Sequence, residues 1–73
     1  MIGRIDDFEL KLRHELDLDA RLVLSGVPEI VISDYAFIKI NKAPGDYRQR
    51  SIKFYYERVH HYERLNKGGI DDE

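Results

Sequence analysis

Along residues 5–18, IDDFELKLRHELDL, apolar side chains recur with two competing periods. At the helical period Ile5, Phe8, Leu12 and Leu16 share one face, Asp6 and Glu9 have the spacing of a capping box, and the stretch is rich in Leu, Glu, Lys and Arg, which favour helix. At period two Phe8, Leu10, Leu12, Leu16, Leu18 and Ala20 fall on one side, with His14 interrupting. No β-branched residue lies between Phe8 and Leu22, so the pattern predicts a helix. That choice leaves Leu10 on the polar face.

After Leu18 the chain becomes β-branched and apolar. ARLVLSG, a turn at Gly26-Val27-Pro28 and then EIVISDYAFIKIN predict at least two antiparallel strands, because Gly and Pro punctuate and the Val and Ile runs suit a half-buried sheet. Ile30, Ile32, Ala36, Ile38 and Ile40 alternate onto one side with Asp34 among them. A carboxylate in that file predicts a break near Ser33-Asp34, giving three strands.

The last element begins at Pro44-Gly45-Asp46. Asp46 is the expected N-cap, with Gln49 completing a second capping box, and the helix should run to about Asn66 before the Gly68-Gly69 stop. Ile52, Tyr55, Tyr56, Val59 and Tyr62 form its apolar stripe, which reads as core. The expected architecture is therefore α+β: one domain over residues 1–67, in the order helix, two or three antiparallel strands, long C-terminal helix. Residues 68–73 are expected to form a flexible acidic tail. In element order alone, αββα or αβββα, this arrangement resembles the double-stranded RNA-binding domains, a weak guide to function.

Size changes the picture by making stability marginal. A chain of 73 residues buries a modest core, and with no cysteine it has no disulfide, no thiolate zinc site and no thiol nucleophile. Oligomerisation is a remaining support, so a homodimer is expected. The first residues, MIGRIDDFEL, are charged and carry no apolar run, which reads as neither a signal peptide nor a membrane span and places the protein in the cytoplasm.

Charge is unevenly spread. Residues 1–37 carry −4, residues 38–67 carry +5 and the tail −3, for a net charge of −2. In the basic part Arg48, Arg50, Lys53, His60 and Arg64 are candidates for phosphate contact, with Lys39 and Lys42 on the approach. Glu57 sits among them and would repel a phosphate.

Catalytic signatures are not evident. Ser25, Ser33 and Ser51 lie in no nucleophile elbow, and Gly26 and Gly45 make no phosphate loop. Glu57 and His60 have the Glu-x-x-His spacing of di-iron bundles, but such sites need a second motif and two further carboxylates. Neither an enzyme nor a cofactor or metal is expected. Leu10, Phe54 and Leu65 are apolar beyond what one small core requires, and such side chains mark contact surfaces. The reading is a small non-enzymatic regulatory or adaptor protein that binds another protein through these three residues. The alternative is a nucleic-acid-binding module using the basic face of the last helix.

Overall fold

A computed structural model describes residues 7–67. The order of elements is α1 (Asp7–Arg21), a 3-10 turn (Leu22–Ser25), α2 (Glu29–Asn41) and α3 (Gly45–Asn66). Among the described residues there is no strand. The expected α+β fold is thus corrected to three packed helices, and the likeness of element order to double-stranded RNA-binding domains falls with it.

α1 is helical as its composition and period require. Asp7 and Glu9 in the first turn and Arg21 in the last complement the helix dipole. Leu12, Leu16 and Ala20, spaced by four, make the buried row. The expected Asp6 cap and Ile5 lie outside the described residues, as does the tail 68–73.

The stretch EIVISDYAFIKIN, expected to be strands, is α2. Its buried residues Ile32, Ala36 and Ile40 follow the helical i, i+4, i+8 spacing. A strand here would need a partner to satisfy its backbone, and the preceding Leu22–Ser25 is four residues long and coils into a 3-10 turn. The helix satisfies its own backbone. Its cost in propensity is at most about 0.7 kcal/mol per isoleucine, against about 1.5–3 kcal/mol for fully burying one, so burial of Ile32 and Ile40 decides.

Gly and Pro were signals of turning, but between helices. Gly26 adopts φ 85°, and its N–H donates to Val23 O while Val27 N–H donates to Leu22 O, both at 3.1 Å. These two bonds close the turn as a Schellman motif. Pro28 and Pro44 then occupy the N-cap positions of α2 and α3. The expected Asp46–Gln49 capping box does not form: α3 starts at Gly45 with no side-chain cap, because the proline already sets the entry angle.

The core joins Leu12, Leu16 and Ala20 of α1, Val23, then Ile32, Ala36 and Ile40 of α2, Ala43, and Tyr55, Val59 and Tyr62 of α3. The expected α3 stripe is largely this set. Tyr56 packs at its margin, Ile52 is exposed, and Ser51 takes the inward position instead.

Candidate functional site

α1 and α3 are fastened by two carboxylates of α1 that reach basic and phenolic groups of α3. Glu9, only 4% exposed, accepts Arg50 Nε at Oε2 and Arg50 Nη2 at Oε1, both at 3.1 Å, and also Arg13 Nη2 at 3.4 Å. Two turns on, Asp17 Oδ1 accepts Arg58 Nε and the Tyr62 hydroxyl, both at 2.8 Å. Tyr62 Oη in turn accepts Arg58 Nη2 at 2.9 Å and Arg21 Nε at 3.2 Å, so its one donor and two acceptor positions are filled. Burial works against the Asp17 carboxylate, but the hydrogen bonds from Tyr62 and Arg58 and the charges of Arg58 and Arg21 outweigh it and hold its pKa below the ordinary value.

Along this pair of helices runs an open groove of about 930 Å³. Its apolar part is Leu10 of α1 and Phe54 of α3. Lys11, Arg13, His14 and Arg58 supply basic side chains at its walls, against Asp7 and Asp17. Arg13 lays its guanidinium over the Phe54 ring, 5.1 Å from the centroid, which keeps the ring in place and a cation beside it. Leu10 is 59% exposed, whereas Phe54 is half-buried against the core.

Of the three expected partner-binding residues, the structure brings Leu10 and Phe54 to one groove and leaves Leu65 apart. Leu65 is exposed near the end of α3, roughly 16 Å along the axis from Phe54 at 1.5 Å per residue.

The basic residues are divided in role. Arg50 is committed to Glu9. Arg48 donates through Nε to Ala43 O at 2.9 Å and through Nη2 to Asn41 O at 3.1 Å, tying the end of α2 to the start of α3. His60 Nδ1 lies 3.3 Å from Glu63 Oε1. Lys53 and Arg64 are exposed, with Glu57 beside Lys53 in a smaller hollow of about 290 Å³ that Arg13 and Arg50 also line. Among the described residues no three His, Asp or Glu side chains are placed to hold a metal ion together.

Two features escaped the sequence. The groove's Lys11, Arg13, His14 and Arg58 were hidden among ordinary surface charge, although the i,i+4 spacings Glu9–Arg13 and Asp17–Arg21 are legible in the sequence. The outer face of α2, with Ile30, Tyr35 and Ile38 exposed, was hidden by reading the stretch as strand. No protein-family model, curated protein or solved structure matches the chain. Among the described residues no helix is long and apolar enough to cross a membrane.

Proposed function

We propose that this chain is a small cytoplasmic protein-binding module whose α1–α3 groove takes an amphipathic helix of a partner protein. The observation that carries this reading is the convergence of Leu10 and Phe54 on one open groove whose walls carry Lys11, Arg13, His14 and Arg58 against Asp7 and Asp17. An apolar side chain of the partner enters between Leu10 and Phe54, where contact removes apolar surface from water. Acidic residues flanking it meet Lys11, Arg13 and His14. Asp17 offers them little repulsion, since Arg58 and Tyr62 already occupy its carboxylate. Recognition needs no catalytic group, in keeping with a regulatory or adaptor role.

The nucleic-acid reading draws less support, because Arg50 and Arg48 spend their donors inside the fold and Glu57 and Glu63 interrupt the remaining cations. The test is titration of isotopically labelled protein with an acidic amphipathic helical peptide, with its scrambled form and with duplex RNA or DNA. Shifts confined to Leu10, Lys11, His14 and Phe54, and lost in Leu10→Asp, are expected for the peptide alone. Leu10 is exposed, so that variant keeps its fold. Tight, salt-steep duplex binding removed by Lys53→Ala with Arg64→Ala would overturn the reading in favour of nucleic acid.

A further inference from the structure

Of the cations that line the groove, Arg58 is firmly paired and Lys11 and His14 are exposed, whereas Arg13 is largely buried and poorly paired. Its side chain is 31% exposed. The guanidinium lies over Phe54, Nη2 reaches Glu9 Oε2 only at the long distance of 3.4 Å, and Nε is buried with no hydrogen-bond partner among the described residues. A buried donor of a charged group left unpaired is costly. Glu9, for its part, does not depend on Arg13, because Arg50 takes both of its oxygens at 3.1 Å. Arg13 can therefore leave without stranding that carboxylate. Arg13 and Phe54 also line both the groove and the hollow beside Lys53 and Glu57, so the stacked pair is the partition between the two.

We propose that Arg13 is the specificity-determining residue of the groove: a carboxylate of the partner helix, one turn from the apolar side chain that enters beside Leu10, draws the guanidinium off the Phe54 ring and is held by its Nε and Nη2. The inference rests on the α1–α3 groove as a helix-binding site and names what that site selects.

A guanidinium presents Nε–H and one Nη–H side by side, matching the two oxygens of a carboxylate. Over Phe54 only one of that pair is bonded, and a partner carboxylate fills both. The face of the ring that Arg13 gives up is then covered by the partner's apolar side chain, so neither the charge nor the aromatic surface is left bare. One helical turn is about 5.4 Å, a span that glutamate and arginine side chains bridge together. A partner with no acid at that place must displace Arg13 without replacing its contacts, or dock with the ring still covered, and binds more weakly either way. The groove thus opens for an acid, and the difference in affinity between the two kinds of partner is its selectivity.

Two helical peptides test this, each with a leucine anchor, one carrying glutamate a turn before and a turn after it and the other glutamine at the same two places. They are titrated into the parent, Arg13→Ala and Lys11→Ala, with circular dichroism to verify that each variant is folded. The parent should prefer the glutamate peptide by roughly tenfold, the scale of a hydrogen bond to a charged group. Arg13→Ala should bind the glutamate peptide roughly tenfold more weakly and the glutamine peptide about two- to fivefold more tightly, because no cation has to leave the ring. Lys11→Ala should weaken the glutamate peptide only slightly and should not tighten the glutamine one. In nuclear magnetic resonance spectra of the parent, contacts between the Arg13 side chain and the Phe54 ring should vanish on adding the glutamate peptide, while the Arg13 Nε–H signal moves downfield. If the peptides bind in the groove, with shifts lost in Leu10→Asp, but Arg13→Ala weakens both equally or changes neither, the groove stands as a binding site and the role of Arg13 falls. Arg13–Phe54 contacts that persist in the complex overturn it too. A parent that binds neither peptide overturns both.

Discussion

Arg50 holds Glu9 as a two-pronged fork, each carboxylate oxygen receiving one guanidinium N–H at 3.1 Å. The carboxylate is nearly sealed from solvent while half of the arginine side chain stays exposed. A buried carboxylate is tolerated only when its charge and lone pairs are met, so the exposed cation is there for the acid beneath it. What looks in sequence like one of a row of phosphate contacts is a fastener between α1 and α3.

Glu9→Ala removes the charge-assisted hydrogen bonds from Arg50 and Arg13 and should cost about 1–3 kcal/mol. Arg50→Lys cannot rebuild the fork with a single ammonium and should also destabilise. Lys53→Ala, three positions along the same helix, should stay within about 0.5 kcal/mol. Urea unfolding of the three variants distinguishes a fastening arginine from a surface lysine.

Asp17 sets an acid limit. Its folded-state pKa lies below the unfolded one, so the folded protein holds the proton less tightly. The resulting stability is fully present above an unfolded-state value of about 4, and it is lost as pH falls through the lower folded-state pKa. In Asp17→Asn this contribution is gone, so the loss of stability between pH 5 and pH 2 should be shallower than in the parent. Denaturant midpoints measured across that range check the sign.

Tyr55 and Ser51, one turn apart on α3, should respond in opposite ways. Tyr55 is fully buried, its ring edge-on to Phe37 with centroids 6.2 Å apart and its hydroxyl 3.4 Å from Ser33 Oγ. Tyr55→Ala should cost about 3–5 kcal/mol, against a total of roughly 4–11 kcal/mol for a chain of this length. Thermal melts should show its midpoint lowered by roughly 12–40 °C. Ser51 Oγ is buried without a hydrogen-bond partner among the described residues, so Ser51→Ala should be neutral or raise the melting temperature.

Two glycines make a further contrast. No atom lies within 4 Å of a Cβ added at Gly26 or at Gly45. Gly26 alone has a left-handed backbone, so Gly26→Ala should cost about 1 kcal/mol through conformation and not through a clash. Gly45→Ala, in the first turn of α3, should be neutral or stabilising by up to about 1 kcal/mol. Paired melts of the two variants give the answer.

The legible parts of the fold are those where period and propensity agree. α1 and α3 are rich in Glu, Lys, Arg, Leu and Tyr with core residues spaced by three and four, and both form where that spacing puts them. α2 was misread because its isoleucines satisfy both periods at once. Ile30, Ile32, Ile38 and Ile40 alternate as a strand would, while Ile32, Ala36 and Ile40 repeat as a helix does. Asp34 carried the deciding information: it interrupts the alternating file but falls on the outer face of a helix. Leu10 and Phe54 could be picked out as surplus apolar residues, since surplus is a property of one helix. Their meeting could not, because it depends on how α1 lies against α3.

The polar fastenings also set an order of opening. α1 and α3 share the Glu9 and Asp17 anchors, which bridge 41 to 45 residues of chain. Among the described residues α2 is held to α1 by the Lys39–Asp19 pair at 2.7 Å, to α3 by the Ser33–Tyr55 hydroxyl contact at 3.4 Å and by Arg48 on the carbonyls of Asn41 and, just beyond the helix, Ala43, and otherwise by its buried apolar row. Fluctuations that lift α2 away break fewer polar contacts than those that part α1 from α3, so α2 should be the first cooperative unit to open in the native state. Its backbone amides should then exchange with deuterium ahead of those in the middle of α1 and α3.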